Sequence, residues 1–396
     1  MSMYATVVIG GGAAGICAAI GAARKGEKVI ICEKTAQLGK KILASGNGRC
    51  NLLNEDLNET CYNIQARTLV KSIFSQYGKS QILSFFHELG LETYSKEGRI
   101  FPVTNQAETV LHVLELELKR LAVDVKYNFD CSGISSCKNG LLVSSAMGEK
   151  IECSKAILTG GGKTYPAFGS DGNAYEIAKK IGHTILEPVP AVVPLVIKDN
   201  LCFLLQGQRI TATARAIIDN HELEQLYGEL LFTKYGLSGT CILDTSESIS
   251  IAVNRQHLTK VYVSIDFVPF MDTARLKNEL EKRQKAGWAA EEMLTGILPV
   301  KLCSALKDIF VKNGIDKATK RLKDWRFEVS GTRGWNEAEF TCGGVNVNEV
   351  NLYTLESKLA PCLYLAGEIL DVNGRRGGYN LGWAWASGLA ASKALV

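Results

Sequence analysis

The chain has 396 residues, 46% hydrophobic and 22% charged, with a formal net charge of +4 at pH 7. That length exceeds one ordinary domain, so two or three units are expected, and that composition excludes a disordered or fibrous chain. The mild positive balance permits a nucleic-acid partner without arguing for one.

In chain order, Thr6–Ile9 is a short β-branched run. Three glycines (Gly10, Gly11, Gly12) and an Ala-rich stretch to Arg24 follow, then a second apolar run at Val29–Cys32. Strand, glycine turn, helix, strand predicts a βαβ unit whose parallel strands are buried on both faces. Ala5–Ala23 is apolar enough to suggest a leader or membrane segment, but it lacks a basic start and carries five glycines. No other run reaches spanning length, so a cytoplasmic protein with no membrane partner is expected.

Residues 68–90 and 107–121 read as helices, and Val123–Tyr127, Leu141–Ser145 and Ala156–Thr159 as strands. From about residue 190 the character changes. Residues 192–267 hold β-branched runs at Arg209–Ile218, Ile249–Val253 and Val261–Phe267, which predict an antiparallel sheet or small barrel. Residues 272–325 carry helical periodicity and are locally basic. After 340 a buried strand (Tyr364–Ala366) precedes an apolar helix, Asn380–Ala394. The expected fold is α/β: a discontinuous Rossmann-like domain (1–190 and 335–396) with an antiparallel β-barrel-like insert (191–270) and a small helical one (271–334).

Twelve cysteines are present, but none forms a C-x-x-C pair and several sit in apolar runs such as Ile31-Cys32. A disulfide framework and a metal site are therefore not expected, and a reducing compartment fits.

The chemistry begins at Gly10-x-Gly12-x-x-Gly15, between a strand and a helix. Gly10 makes the tight turn, Gly12 lets backbone approach a diphosphate, and Gly15 lets helix pack on strand. The helix N-terminus offers free N–H groups. Glu33 ends the next strand, where a carboxylate can take both ribose hydroxyls and repels a 2′-phosphate. A second glycine-rich loop, Ser45-Gly46-Asn47-Gly48-Arg49-Cys50-Asn51, follows Gly39-Lys40-Lys41 and can form a backbone anion nest. Far along the chain, Gly367-Glu368-Ile369-Leu370-Asp371 follows a strand, and Gly377-Gly378-Tyr379-Asn380-Leu381 opens the last helix. Two anion-friendly segments so far apart suit one long cofactor, FAD, where an NAD domain needs no second segment.

With these segments the chain resembles the BaiN/YhiN-like flavoprotein family of glutathione-reductase-type FAD proteins, over nearly its whole length. Gly169-Ser170-Asp171-Gly172, Gly182-His183, Gly228–Thr233, Tyr235–Gly239, Gly343-Gly344-Val345 and Glu356–Lys358 continue the likeness. The resemblance implies that Gly10, Gly12, Ala13, Ala14, Gly15, Glu33 and Lys34 hold the adenosine and diphosphate. It places Gly39, Lys41, Ser45, Gly46, Asn47, Gly48 and Asn51 along the middle, with the Cys131 backbone near adenine. Gly161, Gly367, Glu368, Asp371, Gly377, Gly378, Tyr379, Asn380 and Leu381 close on the ribityl chain and ring. Thr240 stands where relatives usually carry proline, and Arg375-Arg376 occupies a variable position near the flavin, suited to an anionic substrate or equally to a solvated loop.

The family implies reduction of a conjugated C=C bond by hydride from reduced flavin. NAD(P)H is expected as a visiting reductant, because no second G-x-G-x-x-G announces its own domain. Cys50, Tyr379 and His183 are the candidate proton donors. The leading expectation for substrate is uridine in 23S rRNA, supported by the basic helical segment. A small-molecule enone reductase or amine oxidase is the alternative, and a non-catalytic, redox-sensing flavin protein is the reading from another class. Oligomeric state is not legible.

Overall fold

In the computed structural model, which describes residues 3–393, four parallel strands end on one line, and that line sets the site. Strand β1 (Tyr4–Ile9) lies between β2 (Val29–Cys32) and the long strand Lys150–Leu158. Ile9 pairs with Cys32 on one side and with Leu158 on the other, and Leu158 pairs with Leu365 of strand Leu363–Leu365. The backbone that leaves each carboxyl end therefore opens on a common edge, the place where parallel α/β sheets bind ligands. Asp124–Lys126 extends the sheet beyond β2, and the antiparallel strands Gly140–Ser145 and Cys131–Cys137 extend it on the other side.

Between β1 and β2 runs helix α1 (Ala13–Ala23), composed of small and branched apolar residues and buried along nearly its whole length. The C-terminal helix Tyr379–Lys393 packs against it without side chains intervening at one point. A Cβ on Gly388 would stand 2.2 Å from the Ala14 carbonyl oxygen, so only glycine permits that approach. The expected helix at 380–394 is thus present from Tyr379; Ala394 lies outside the described residues. The expected single helix at 68–90 is two, Arg67–Phe74 and Lys79–Glu88, broken at Gly78. A Cβ there would meet the Phe74 carbonyl at 2.8 Å.

The chain divides into two compact units, one up to Pro188 and from Phe340, the other Val189–Glu339. The second unit is built on an eight-stranded antiparallel sheet that forms an open path from Trp325–Glu328 to Gly331–Thr332. Its central strand Arg209–Ile218 pairs with both Leu226–Thr233 and Val261–Asp266. Phe232, Phe267, Leu276, Leu302 and Phe327 fill its own core. Helices Thr273–Lys285, Val300–Leu306 and Asp308–Lys323 belong to the same core, and Trp325 has already returned to the sheet.

One expectation in this unit is overturned. The β-branched run Ile249–Val253 is not a strand: helix Thr240–Ser250 continues through it into a π-helical turn, Ile251–Arg255. Its buried positions Cys241, Ile242, Thr245, Ser246, Ile249 and Ser250 recur at helical spacing, and that burial outweighs local β preference. Among the described residues no helix is long and apolar enough to cross a membrane.

Candidate functional site

At the strand ends lies a cleft of about 690 Å³, its open mouth included. That is within the ordinary range for a small-molecule or cofactor site. Gly10, Gly11 and Gly12 form its floor from β1, Glu33 and Lys34 its side from β2, and Thr159, Gly160 and Gly161 the opposite side.

The three fingerprint glycines have three different physical reasons. Gly10 adopts φ +104°, and a Cβ there would lie 2.6 Å from the Thr159 carbonyl oxygen. A Cβ on Gly15 would fall 1.9 Å from the Gly10 carbonyl oxygen, so helix and strand touch backbone to backbone. A Cβ on Gly12 would meet nothing within 4 Å: its space is open and belongs to the cleft. Gly12 also caps α1 with no side chain bonded to the first-turn amides, and no acid stands in that turn. The positive end of the helix therefore reaches the cleft uncompensated. Ala14 is buried and Ala13 half-buried behind it.

Glu33 is buried, and both its oxygens are engaged: Gly11 N–H donates to Oε2 at 2.7 Å and Thr35 N–H to Oε1 at 2.8 Å. A carboxylate offers about four acceptor positions, so two remain for hydroxyl donors. Lys34 pairs with Asp171 at 2.5 Å and with Asp130 at 3.5 Å. Burial works to lower its pKa, but the two carboxylates carry it above the ordinary lysine value.

Ser170 lines the cleft with its hydroxyl buried and without a hydrogen-bond partner, as is the buried Oδ1 of Asn51 in the second glycine loop. Buried polar atoms are rarely left so, and a bound polar ligand satisfies such groups. An open glycine position, an uncapped helix end and an orphaned hydroxyl on one cleft fit the phosphate and ribose chemistry of FAD.

Of the expected cofactor residues, Gly10, Gly12, Glu33, Lys34, Gly39, Lys41, Cys131 and Gly161 line the cleft. Glu368 joins through Lys41, whose Nζ donates to its Oε2 at 2.6 Å and to Thr164 Oγ1 at 2.9 Å. Gly367 turns at φ +81°, where a Cβ would press Ala14 Cβ at 2.8 Å. Gly46, Asn47 and Gly48 hold left-handed backbone in an exposed loop, and Ser45 Oγ donates to the Ile42 carbonyl. Asp371 is buried as a bracket: its Oδ1 accepts from Gly343 N–H at 3.1 Å and from Asn373 Nδ2 at 3.0 Å. Asn380 closes the loop before it, accepting from Gly374 N–H and donating to its carbonyl, both at 2.9 Å. Asn54 Nδ2 donates to the Gly377 carbonyl at 3.0 Å; Gly378 and Leu381 follow on the turn and first helical residues, half-buried. Ser170, Phe129, Phe168 and Asn173 also line the cleft and were not singled out from sequence. The motif Gly169–Gly172 carried a signal for Ser170 alone.

The three proton-donor candidates occupy unlike surroundings. Cys50 is fully buried, and burial pushes its thiol up to about 12 against a hydrogen bond to Ser45. His183 is also buried. Ser357 Oγ accepts from Leu359 and Ala360 N–H, so its hydroxyl donates to His183 Nε2, and Nδ1 donates to Glu349 at 2.9 Å. Both ring nitrogens are spent on fold contacts. Tyr379 stands at the start of the C-terminal helix with its ring perpendicular to Tyr62 at 6.3 Å, and Tyr62 Oη donates to its carbonyl at 2.7 Å. Its hydroxyl bonds to Cys61, whose Sγ lies 4.0 Å from the carboxylate Oδ2 of exposed Asp56. Arg375 is exposed and Arg376 half-buried on the preceding turn.

The His183–Glu349 contact carries an acid-stability prediction. Burial raises the Glu349 pKa, but bonds from Thr184 and His183 outweigh it and hold the carboxyl below its ordinary value. Its contribution to stability is thus complete above the unfolded glutamate pKa and lost as pH falls through the lower folded value. Glu349→Gln should therefore melt lower than the parent at neutral pH, and the gap should close below pH 4, as read by thermal melts across that range.

The model of the HI0933-like protein Rossmann domain matches residues 4–394. The 3-dehydro-bile acid delta(4,6)-reductase of Clostridium scindens is 36% identical, over 98% of this chain and 98% of its own. The ribosomal RNA dihydrouridine synthase of Haemophilus influenzae is 29% identical, over 99% and 98%. Among solved structures, 3-ketosteroid delta1-dehydrogenase from Sterolibacterium denitrificans superposes with a TM-score of 0.53 at 13% identity, covering 99% of each chain, which shows a shared fold. The chain belongs to the HI0933-like family and is an FAD-binding oxidoreductase.

Proposed function

We propose that the protein reduces a conjugated C=C bond in a small-molecule enone, with NAD(P)H as the reductant. The observation that carries this reading is the stronger whole-length likeness to the bile-acid delta(4,6)-reductase, 36% against 29% for the dihydrouridine synthase. The expectation of uridine in 23S rRNA thereby becomes the second reading, favoured by the dihydrouridine synthase relatives, at 28–29% identity, and by the basic helices of the second unit.

In this proposal the amides at Gly12 and the first turn of α1 bind the FAD diphosphate, and the free acceptor positions of Glu33 take the ribose hydroxyls. Ser170 and Asn51 gain the partners they lack. The Lys41–Glu368 pair would hold the middle of the cofactor, and the N–H groups that open the C-terminal helix would stabilise negative charge on its ring. FAD supplies hydride transfer to the electron-poor alkene carbon. The chain's own part is to orient the alkene against that ring, exclude water, and hold a proton for the second carbon. Tyr379 is the proposed donor, since its hydroxyl has a path through Cys61 to exposed Asp56 while Cys50 and His183 are closed in. Arg375 and Arg376 lie on the turn that leads to it.

Anaerobic NAD(P)H consumption with a panel of 3-oxo-alkene steroids and simpler enones tests the reading. Enone-dependent turnover is expected. Flat traces, together with loss of dihydrouridine from ribosomal RNA when the gene is deleted, would transfer the assignment to RNA.

A further inference from the structure

The turn before Tyr379 is met by a cation from another segment. Leu53–Asn54 pairs with strand Arg99–Pro102, with Asn54 opposite Arg99, and Asn54 ties that pair to the Gly377 carbonyl. Gly377 has φ +122°, and a Cβ on it would lie 3.4 Å from Arg99 Nε and 4.0 Å from its guanidinium carbon. The Arg99 head group thus rests against bare backbone of the turn. Two residues along the same strand, on the same face, the Phe101 ring carries the Arg49 guanidinium at 5.3 Å. Arg375, two residues before Gly377, is exposed, and its N–H donates to the Cys61 carbonyl at 3.0 Å.

Several arginines elsewhere are neutralised: Arg24 by Glu88 and Glu117, Arg209 by Glu229, Arg326 by Asp324 and Glu222, Arg333 by Glu337. Among the described residues no carboxylate forms an ion pair with Arg49, Arg99 or Arg375. One such guanidinium, that of Arg99, lies against the glycine turn, a second, that of Arg49, sits over Phe101 on the same strand as Arg99, and Arg375 belongs to the turn itself, beside the proposed proton donor. Guanidinium groups bind carboxylates through paired N–H donors and keep their charge at every working pH.

We propose that Arg99, with Arg49 and Arg375, is a clamp for a carboxylate carried by the enone substrate, and that it makes the enzyme select acids over neutral enones. The proposal rests on the enone reading and adds the class of substrate. A cluster around one turn is a point receptor; a nucleic-acid backbone needs cations spread along a track.

The test is a difference titration of flavin absorbance on the FAD-loaded protein, with a 3-oxo-alkene steroid carboxylic acid and its methyl ester. The parent is expected to bind the acid about tenfold more tightly, roughly 1.4 kcal/mol, and Arg99→Gln to bring the ratio close to one. A structural role for Arg99 would weaken both ligands alike and leave the ratio standing, which overturns the proposal. So would a parent that does not distinguish acid from ester, or an oligoribonucleotide that displaces the acid and loses its affinity in Arg99→Gln. Exposed Arg375→Gln serves the same measurement if Arg99→Gln does not retain flavin. Parent turnover of the ester with NAD(P)H is read separately: its absence removes the enone reading, while an acid preference in the titration still establishes the clamp.

Discussion

Gly15→Ala should cost about 2 kcal/mol of stability and empty the protein of FAD, although glycine to alanine inside a helix ordinarily gains about 1 kcal/mol. The reversal follows from what the new methyl meets. It would fall 1.9 Å from the Gly10 carbonyl oxygen and 2.7 Å from Thr159 Oγ1. Neither atom can retreat: Gly10 N–H donates to the Cys32 carbonyl at 2.9 Å, and Thr159 Oγ1 sits 2.8 Å from the Gly10 carbonyl. Helix α1 must move off the sheet instead. Gly12→Ala is the matched control, because φ is −85° there and the methyl has open space. That variant should melt as apo-protein within experimental error of the parent, yet purify with little flavin, since the methyl fills space assigned to the diphosphate. Thermal melts of apo-protein and the ratio of visible flavin absorbance to protein separate the two. A Gly12→Ala protein with full flavin would remove the diphosphate from the end of α1.

These glycines were legible because their constraint is local: spacing, a preceding strand and a following helix are written in fifteen residues. Ser170, Phe168 and Asn173 were not, because they reach the cleft only through strand order. The segment after Lys150–Leu158 comes beside β1 across some 150 residues of chain, and no periodicity announces such a neighbour. His183 shows the opposite failure. Its residue type suggested proton transfer, while its partners, Glu349 and Ser357, lie far along the chain and turn it into a fold contact. The run Ile249–Val253 has strand character only when taken alone: from Cys241 onward the buried positions step as a helix. Residue types fixed the chemistry available; contacts distant in sequence decided which residues are spare for it.

Tyr379→Phe should lower enone turnover about 100-fold or more and leave bound flavin unchanged. The substitution is clean because Phe keeps the ring against Tyr62 and the backbone carbonyl that Tyr62 Oη holds. Only the hydroxyl is lost, and with it the first member of the path through Cys61 to Asp56. Burial, the bond to Cys61 and the nearby Asp56 charge together push the Tyr379 pKa up to about 12, with Arg375 acting in the opposite sense. The proton is therefore held through neutral and moderately alkaline pH, and parent turnover should show no alkaline fall from this residue until pH approaches that value. Cys50→Ala supplies the contrast: its thiol is also high, at about 12, but the side chain is fully buried. It should retain FAD and turn over near the parent rate. A Tyr379→Phe protein with parental kcat, or a Cys50→Ala protein that loads flavin and does not turn over, would move the proton from the helix start to the glycine loop.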